Sequence, residues 1–121
     1  KAVMLLKSDG TNTSKAITQK SYFTVTSSSI TTFIAVAGDQ LFVDTTQTTV
    51  TITLPASPTI GDEVVIIDAR GTFANNAVAV NRNGQPINSA TSNLSLNTNG
   101  QAITLVYIDS TRGWAYKTNT A

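Results

Sequence analysis

Val50, Ile52 and Leu54 alternate with Thr51 and Thr53. This period of two puts apolar side chains on one face of a strand and hydroxyls on the other. A connection from Pro55 to Gly61 leads to Val64-Val65-Ile66-Ile67. That run is β-branched and too short for a helix, so it predicts a strand buried on both faces. Stretch 37–69 is therefore the clearest part of the pattern: a half-exposed strand, a fixed turn and a buried strand.

The same reading extends to both sides. Ala2 to Lys7 predicts a strand closed by the turn signal Ser8-Asp9-Gly10, and Ile17 to Thr26 alternates weakly before Ser27-Ser28-Ser29. Residues 1–30 are thus expected to form an N-terminal strand or extended assembly arm, and residues 31–121 the folded domain. Within the domain, Phe33, Ala35 and Ala37 alternate with Ile34 and Val36. Gly38-Asp39 turns the chain into Leu41-Phe42-Val43, Thr45 to Thr49 reads as a polar hairpin loop, and Asn75-Asn76 precedes a strand at Ala77–Val80. Residues 81–87 and 97–103 share the form N-x-N-G-Q-x-I. Asn-Gly between extended segments favours type I′ turns, so residues 77–108 read as an antiparallel meander. One repetition is too few for a solenoid.

Near the end, Gln101 to Asp109 is apolar on both faces, with Ile103, Leu105 and Tyr107 on one and Val106 and Ile108 on the other. It is expected centrally in a sheet or at a subunit contact. With Val3 and Leu5 of the first strand, these five are the interface candidates. The turn Asp109–Gly113 leads to a last strand with Trp114 and Tyr116 on one face. About ten short strands joined by short connections predict an all-β fold: a compact antiparallel β-sandwich or partly open β-barrel, with the N-terminal strand or arm.

Composition narrows the chemistry. Thr, Ser and Asn supply about a third of the chain, which suits strands and turns over long helices. Eight basic and seven acidic residues give a net charge of +1. The basic residues do not cluster, which argues against a nucleic-acid face. No apolar run approaches the roughly 18 residues of a membrane helix. The first apolar run is closed by Lys7, short of the about 7 to 15 residues of a signal-peptide core. There is no Cys, hence no disulfide or thiolate metal site, and no His, the commonest general base and metal ligand.

The remaining candidates for catalysis are carboxylates and hydroxyls. Asp62 and Glu63 are adjacent and point to opposite faces of an extended chain, which rules out a cooperating pair. Asp39, Asp44, Asp68 and Asp109 stand at strand ends, where Asp bonds its own backbone. No loop has the alternating oxygen ligands of a calcium site, the Ser and Thr residues lack any base but Lys, and no Gly-rich phosphate loop is present. Accordingly no catalytic, metal-binding or cofactor-binding residue is expected. Trp114 and Tyr116, with Tyr107 and Tyr22, are possible surface aromatic contacts for sugar, and Arg112 is placed to stack on Trp114.

Four blocks carry a family likeness: A-G-D-Q-L-F-V-D-T at 37–45, V-T-I-T-L-P-A-S-P at 50–58, G-D-E-V-V-I-I-D-A at 61–69, and L-V-Y-I-D-S-T-R-G-W at 105–114. Stretch 36–117 resembles a module of tailed-bacteriophage virion proteins, cyanophage and marine phages included, and K-S-D-G at 7–10 is similar to openings of short phage structural proteins. The resemblance implies a non-enzymatic, all-β, often trimeric protein of the virion. Because only a short arm accompanies the module, the leading expectation is a capsid-decorating (cement) protein. Its partners would be its own copies and the major capsid protein or other virion proteins, with neither nucleic acid nor membrane. The alternative is a tail-fibre, short-fibre or knob module that attaches to host-surface glycan.

Overall fold

The computed structural model describes residues 21–120. The expected strand Ala2–Lys7 and the interface candidates Val3 and Leu5 lie outside the described residues. All regular structure described is strand: β1 (Ser21–Thr26), β2 (Thr32–Ile34), β3 (Asp39–Asp44), β4 (Val50–Thr53), β5 (Glu63–Asp68), β6 (Val78–Asn81), β7 (Leu94–Leu96), β8 (Ala102–Asp109) and β9 (Gly113–Asn119). They form a five-stranded sheet ordered β1-β3-β5-β8-β9 and a four-stranded sheet ordered β2-β4-β6-β7. Neither sheet closes into a barrel.

The chain alternates between the two sheets from β1 to β6, so each strand returns beside the one two places earlier. β1, β3 and β5 consequently run parallel, as do β2, β4 and β6. Parallel neighbours need a long crossover, often a helix; here the strand of the opposite sheet serves instead. β7, β8 and β9 then reverse direction and pair antiparallel. The purely antiparallel arrangement expected from sequence is thus corrected to two mixed sheets. The physical reason is that alternation reports which face is buried, whereas pairing direction depends on where each connection leads.

Coiling stacks equivalent positions. Phe23, Leu41, Ile66 and Ile103 are successive partners across β1, β3, β5 and β8. Phe33, Ile52, Val80 and Leu94 are successive partners across β2, β4, β6 and β7. Apart from Phe23, which is exposed, the residues of these columns belong with Val25, Val43, Val50, Leu54, Val64, Phe73, Val78, Leu96, Leu105, Tyr107 and Trp114 to one apolar cluster. Full burial of each aliphatic side chain contributes about 1.5–3 kcal/mol, and this sum, rather than charge, holds the sheets together. Val50, Ile52 and Leu54 are fully buried while Thr51 and Thr53 are half-buried, as their alternation predicts. β5 differs from expectation: Val64 and Ile66 are buried, but Val65 and Ile67 are only half-buried on the outer face. β-Branching there satisfies a pleated outer surface, not a second core.

Two other expectations are corrected. β1 lies within the stretch assigned to the arm, yet it is a strand of the larger sheet, with Val25 fully buried; its alternation is weak because Tyr22, Phe23 and Thr24 are all exposed. The two Asn-Gly turns also join no adjacent antiparallel strands directly. Arg82–Gln85 turns just after β6, and Thr98–Gln101 carries the chain from β7 in one sheet to β8 in the other.

The hydroxyls and amides cluster at the corners, where they tie successive coils together. Ser27 Oγ accepts the backbone N–H groups of Gln47 and Thr48, and Thr45 and Thr72 share a hydroxyl bond of 2.7 Å. Asn76 Nδ2 donates to the Thr45 carbonyl at 2.8 Å, and the backbone N–H of Ala74 donates to Asn99 Oδ1 at 2.8 Å. Corner backbone groups that leave the sheet ladders need such partners when shielded from water.

Candidate functional site

The carboxylates hold turns. Asp39 Oδ2 accepts the backbone N–H of Val36, Asp62 Oδ2 that of Thr59, and Asp109 Oδ1 those of Thr111 and Arg112. Asp44 accepts both the backbone N–H and the hydroxyl of Thr46. These bonds, the hydroxyl's first, hold its pKa below the ordinary value, with Arg70 adding at 3.6 Å. Asp68 is the most heavily engaged. Its Oδ1 accepts from the backbone of Arg70, Gly71 and Thr72, and its Oδ2 from Phe73 and Gly100. Burial pushes its pKa up, but the N–H donors of Gly100, Phe73, Thr72 and Arg70 outweigh that and hold it below the ordinary value. A carboxylate so saturated is a staple between the β5 corner and the β7–β8 turn. Among the described residues, no three acidic side chains converge as a metal site. Glu63 instead pairs with Lys117 at 2.8 Å.

The predicted contact residues separate by face. Ile103 and Leu105 are fully buried and Tyr107 nearly so, all within the chain's own core. These three are therefore corrected from subunit contacts to core, because each is already buried within the chain's own apolar cluster. Val106 is half-buried and Ile108 is 40% exposed on the outer face. Trp114 is also corrected: it is fully buried, with its ring edge-on to Tyr107 at 5.5 Å, and offers no face to a sugar. Arg112 does not cover it; its guanidinium reaches the Ser89 hydroxyl. Tyr116 remains on the surface at 37% exposure. The sequence placed Trp114 and Tyr116 on one face correctly, but could not show that segment 86–89 closes over the start of β9. There, the Trp114 N–H donates to the Pro86 carbonyl at 2.8 Å, and Asn88 and Ser89 donate to Trp114 and Arg112.

Several large exposed apolar side chains, among the described residues, gather at β1, β2 and the segment after it. Among the described residues, β1 and β2 each pair on one side only, leaving two strand edges side by side. The first members of the two core columns, Phe23 and Phe33, meet across them with ring centroids 5.7 Å apart. Phe23 is 43% exposed although its partner positions along the column are buried. Ile34 and Val36 extend the apolar surface along β2, and Tyr22 stacks on Phe42 on the outer face of β1. Edge backbone plus exposed core-facing aromatics is the arrangement that accepts another strand. Sequence reading missed it because parallel pairing was not foreseen; the unusual row of Tyr22, Phe23, Phe33, Ile34 and Val36 was the available signal. No protein-family model matches the chain, and no curated protein shows significant similarity to it.

Proposed function

We propose that this protein is a non-enzymatic virion structural protein of a tailed bacteriophage that decorates the capsid shell as a homotrimer. The observation carrying the assembly role is that, among the described residues, β1 and β2 are edge strands, and these edges with the exposed Phe23, Ile34 and Val36 are suited to main-chain pairing and apolar burial. The virion setting rests on the sequence likeness of blocks 37–45, 50–58, 61–69 and 105–114, which form β3, β4, β5 and the end of β8 with the following turn. Asp39, Asp44, Asp62, Asp68 and Asp109 each accept backbone N–H groups and Glu63 pairs with Lys117, which favours supports over reagents.

The second reading is a tail-fibre or knob module that binds host glycan. Tyr22 and Tyr116 favour it as exposed aromatics, whereas the burial of Trp114 removes its strongest stacking platform. Cryo-electron microscopy of the virion distinguishes the two: density for this chain on the head lattice supports decoration, and density at the tail supports attachment. Its absence from purified particles would sink both. Sedimentation of the full chain adds a check, with Ile34→Lys expected to weaken trimerisation or shell binding while leaving thermal unfolding nearly unchanged.

A further inference from the structure

The two N-x-N-G-Q-x-I blocks set the same reactive dipeptide in two environments. Asn followed by Gly is prone to intramolecular attack because no side chain shields the next backbone nitrogen. Every other Asn in the chain precedes a residue with a side chain. We propose that Asn83 is a site of spontaneous covalent modification, while Asp68 protects Asn99.

In the reaction, the Gly84 nitrogen loses its proton and bonds to Asn83 Cγ. The bond from Cγ to the side-chain nitrogen breaks, ammonia leaves, and a five-membered imide remains. Water then opens the imide at either carbonyl, yielding aspartate or isoaspartate. The sum is amide plus water to acid plus ammonia, without an oxidant or a cofactor.

Access to the attacking nitrogen separates the two sites. Asn83 and Gly84 are exposed at the centre of a turn closed by Gln85 N–H to the Arg82 carbonyl at 3.3 Å, with φ of 51° and 94°. The Gly84 N–H has no acceptor among the described residues. What holds the side chain is Asn83 Nδ2 donating to the Leu54 carbonyl at 3.0 Å, a bond made by the very nitrogen that departs. At the second block, Gly100 donates its N–H to Asp68 Oδ2 at 2.9 Å, and Asn99 Oδ1 accepts from Ala74 N–H at 2.8 Å. Removing the Gly100 proton beside an ionised carboxylate is electrostatically unfavourable, and bringing Asn99 Cγ over that nitrogen breaks both bonds. Conversion at Asn83 removes the donor to Leu54 and puts a new charge at the end of β4, so it loosens the corner between β4 and β6.

The test ages the full chain at mildly alkaline pH and maps peptides for acid and isoaspartate at both sites. Asn83 is expected to convert about tenfold faster than Asn99 or more, the factor given by roughly 1.4 kcal/mol of extra barrier. In concentrated urea the two rates should converge, and Asp68→Asn, if folded, should release Asn99. Equal rates in the native chain would overturn the proposal. So would faster conversion of Asn99, or a rate ratio that persists unchanged in urea.

Discussion

Gly100 donates its backbone N–H to Asp68 Oδ2 at 2.9 Å, joining positions 32 residues apart. With four further backbone donors, Asp68 gathers the corner that follows β5 and the turn that precedes β8 onto the end of β5. Each such bond to a charged acceptor contributes about 1.5–3 kcal/mol, and a shielded donor left without one costs about 1–3 kcal/mol. Asp68→Ala should therefore destabilise the fold by about 3 kcal/mol or more, measured by urea unfolding. Asp68→Asn keeps one acceptor oxygen but turns an amide N–H₂ toward other donors, and should cost somewhat less.

Acid should expose the same dependence. The folded-state pKa values of Asp68 and Asp44 lie below the ordinary value of about 4. Folding therefore favours the ionised forms, and their stabilisation is complete above pH of about 5. It falls away as pH drops through the unfolded value towards the depressed folded ones. The unfolding midpoint should accordingly be flat between about pH 5 and 7 and decline below about 4. Asp68→Asn should flatten most of that decline, and an unchanged acid profile in this variant would show that Asp68 is not the principal titrating support.

How far the sequence reveals this fold depends on the range of the interaction. Val50 to Leu54 declares both its strand and its buried face, because side-chain alternation is local. Asn83 likewise adopts a positive φ before Gly84, as Asn-Gly predicts. Asn99 does not, and only Gly100 does, since the second turn must cross between sheets and anchor on Asp68. The pairing of β1 with β3 and of β2 with β4 was not legible, because nothing in a strand's own residues names its neighbour. The candidate surface was hidden for the same reason: Phe23 and Phe33 look like ordinary core residues until β1 and β2 are seen to be edge strands among the described residues. Trp114 was misplaced because its cover comes from Pro86 and Ile87, which turn signals alone do not position.

Gly113 tests that cover. Its φ is +71°, and a Cβ there would stand 1.9 Å from the Pro86 carbonyl oxygen, which is backbone and accepts the Trp114 N–H. Gly113→Ala should lower stability by about 3 kcal/mol or more, combining left-handed strain with a displaced segment. Gly61→Ala supplies the comparison: its φ is +91° but nothing lies within 4 Å of the added carbon. Strain alone should cost it about 1–2 kcal/mol. Thermal denaturation of the two variants would show equal losses if the Pro86 contact were unimportant.

Trp114 is the sole tryptophan, so its fluorescence reports on the closed end of the core without interference. Full burial against Tyr107 predicts blue-shifted emission and weak quenching by acrylamide in the native state, both reversing together on unfolding. Trp114→Ala should cost about 3–5 kcal/mol through lost contacts and an unfilled cavity. Trp114→Phe keeps the aromatic contact with Tyr107 and should cost less than half of that. The glycan alternative predicts the reverse pattern: native emission at the exposed wavelength, strong quenching, and a Trp114→Ala variant that folds normally but no longer binds sugar. Emission and quenching on the full chain thus decide whether this indole supports the fold or faces a ligand, and burial between β8, β9 and segment 86–89 requires the first.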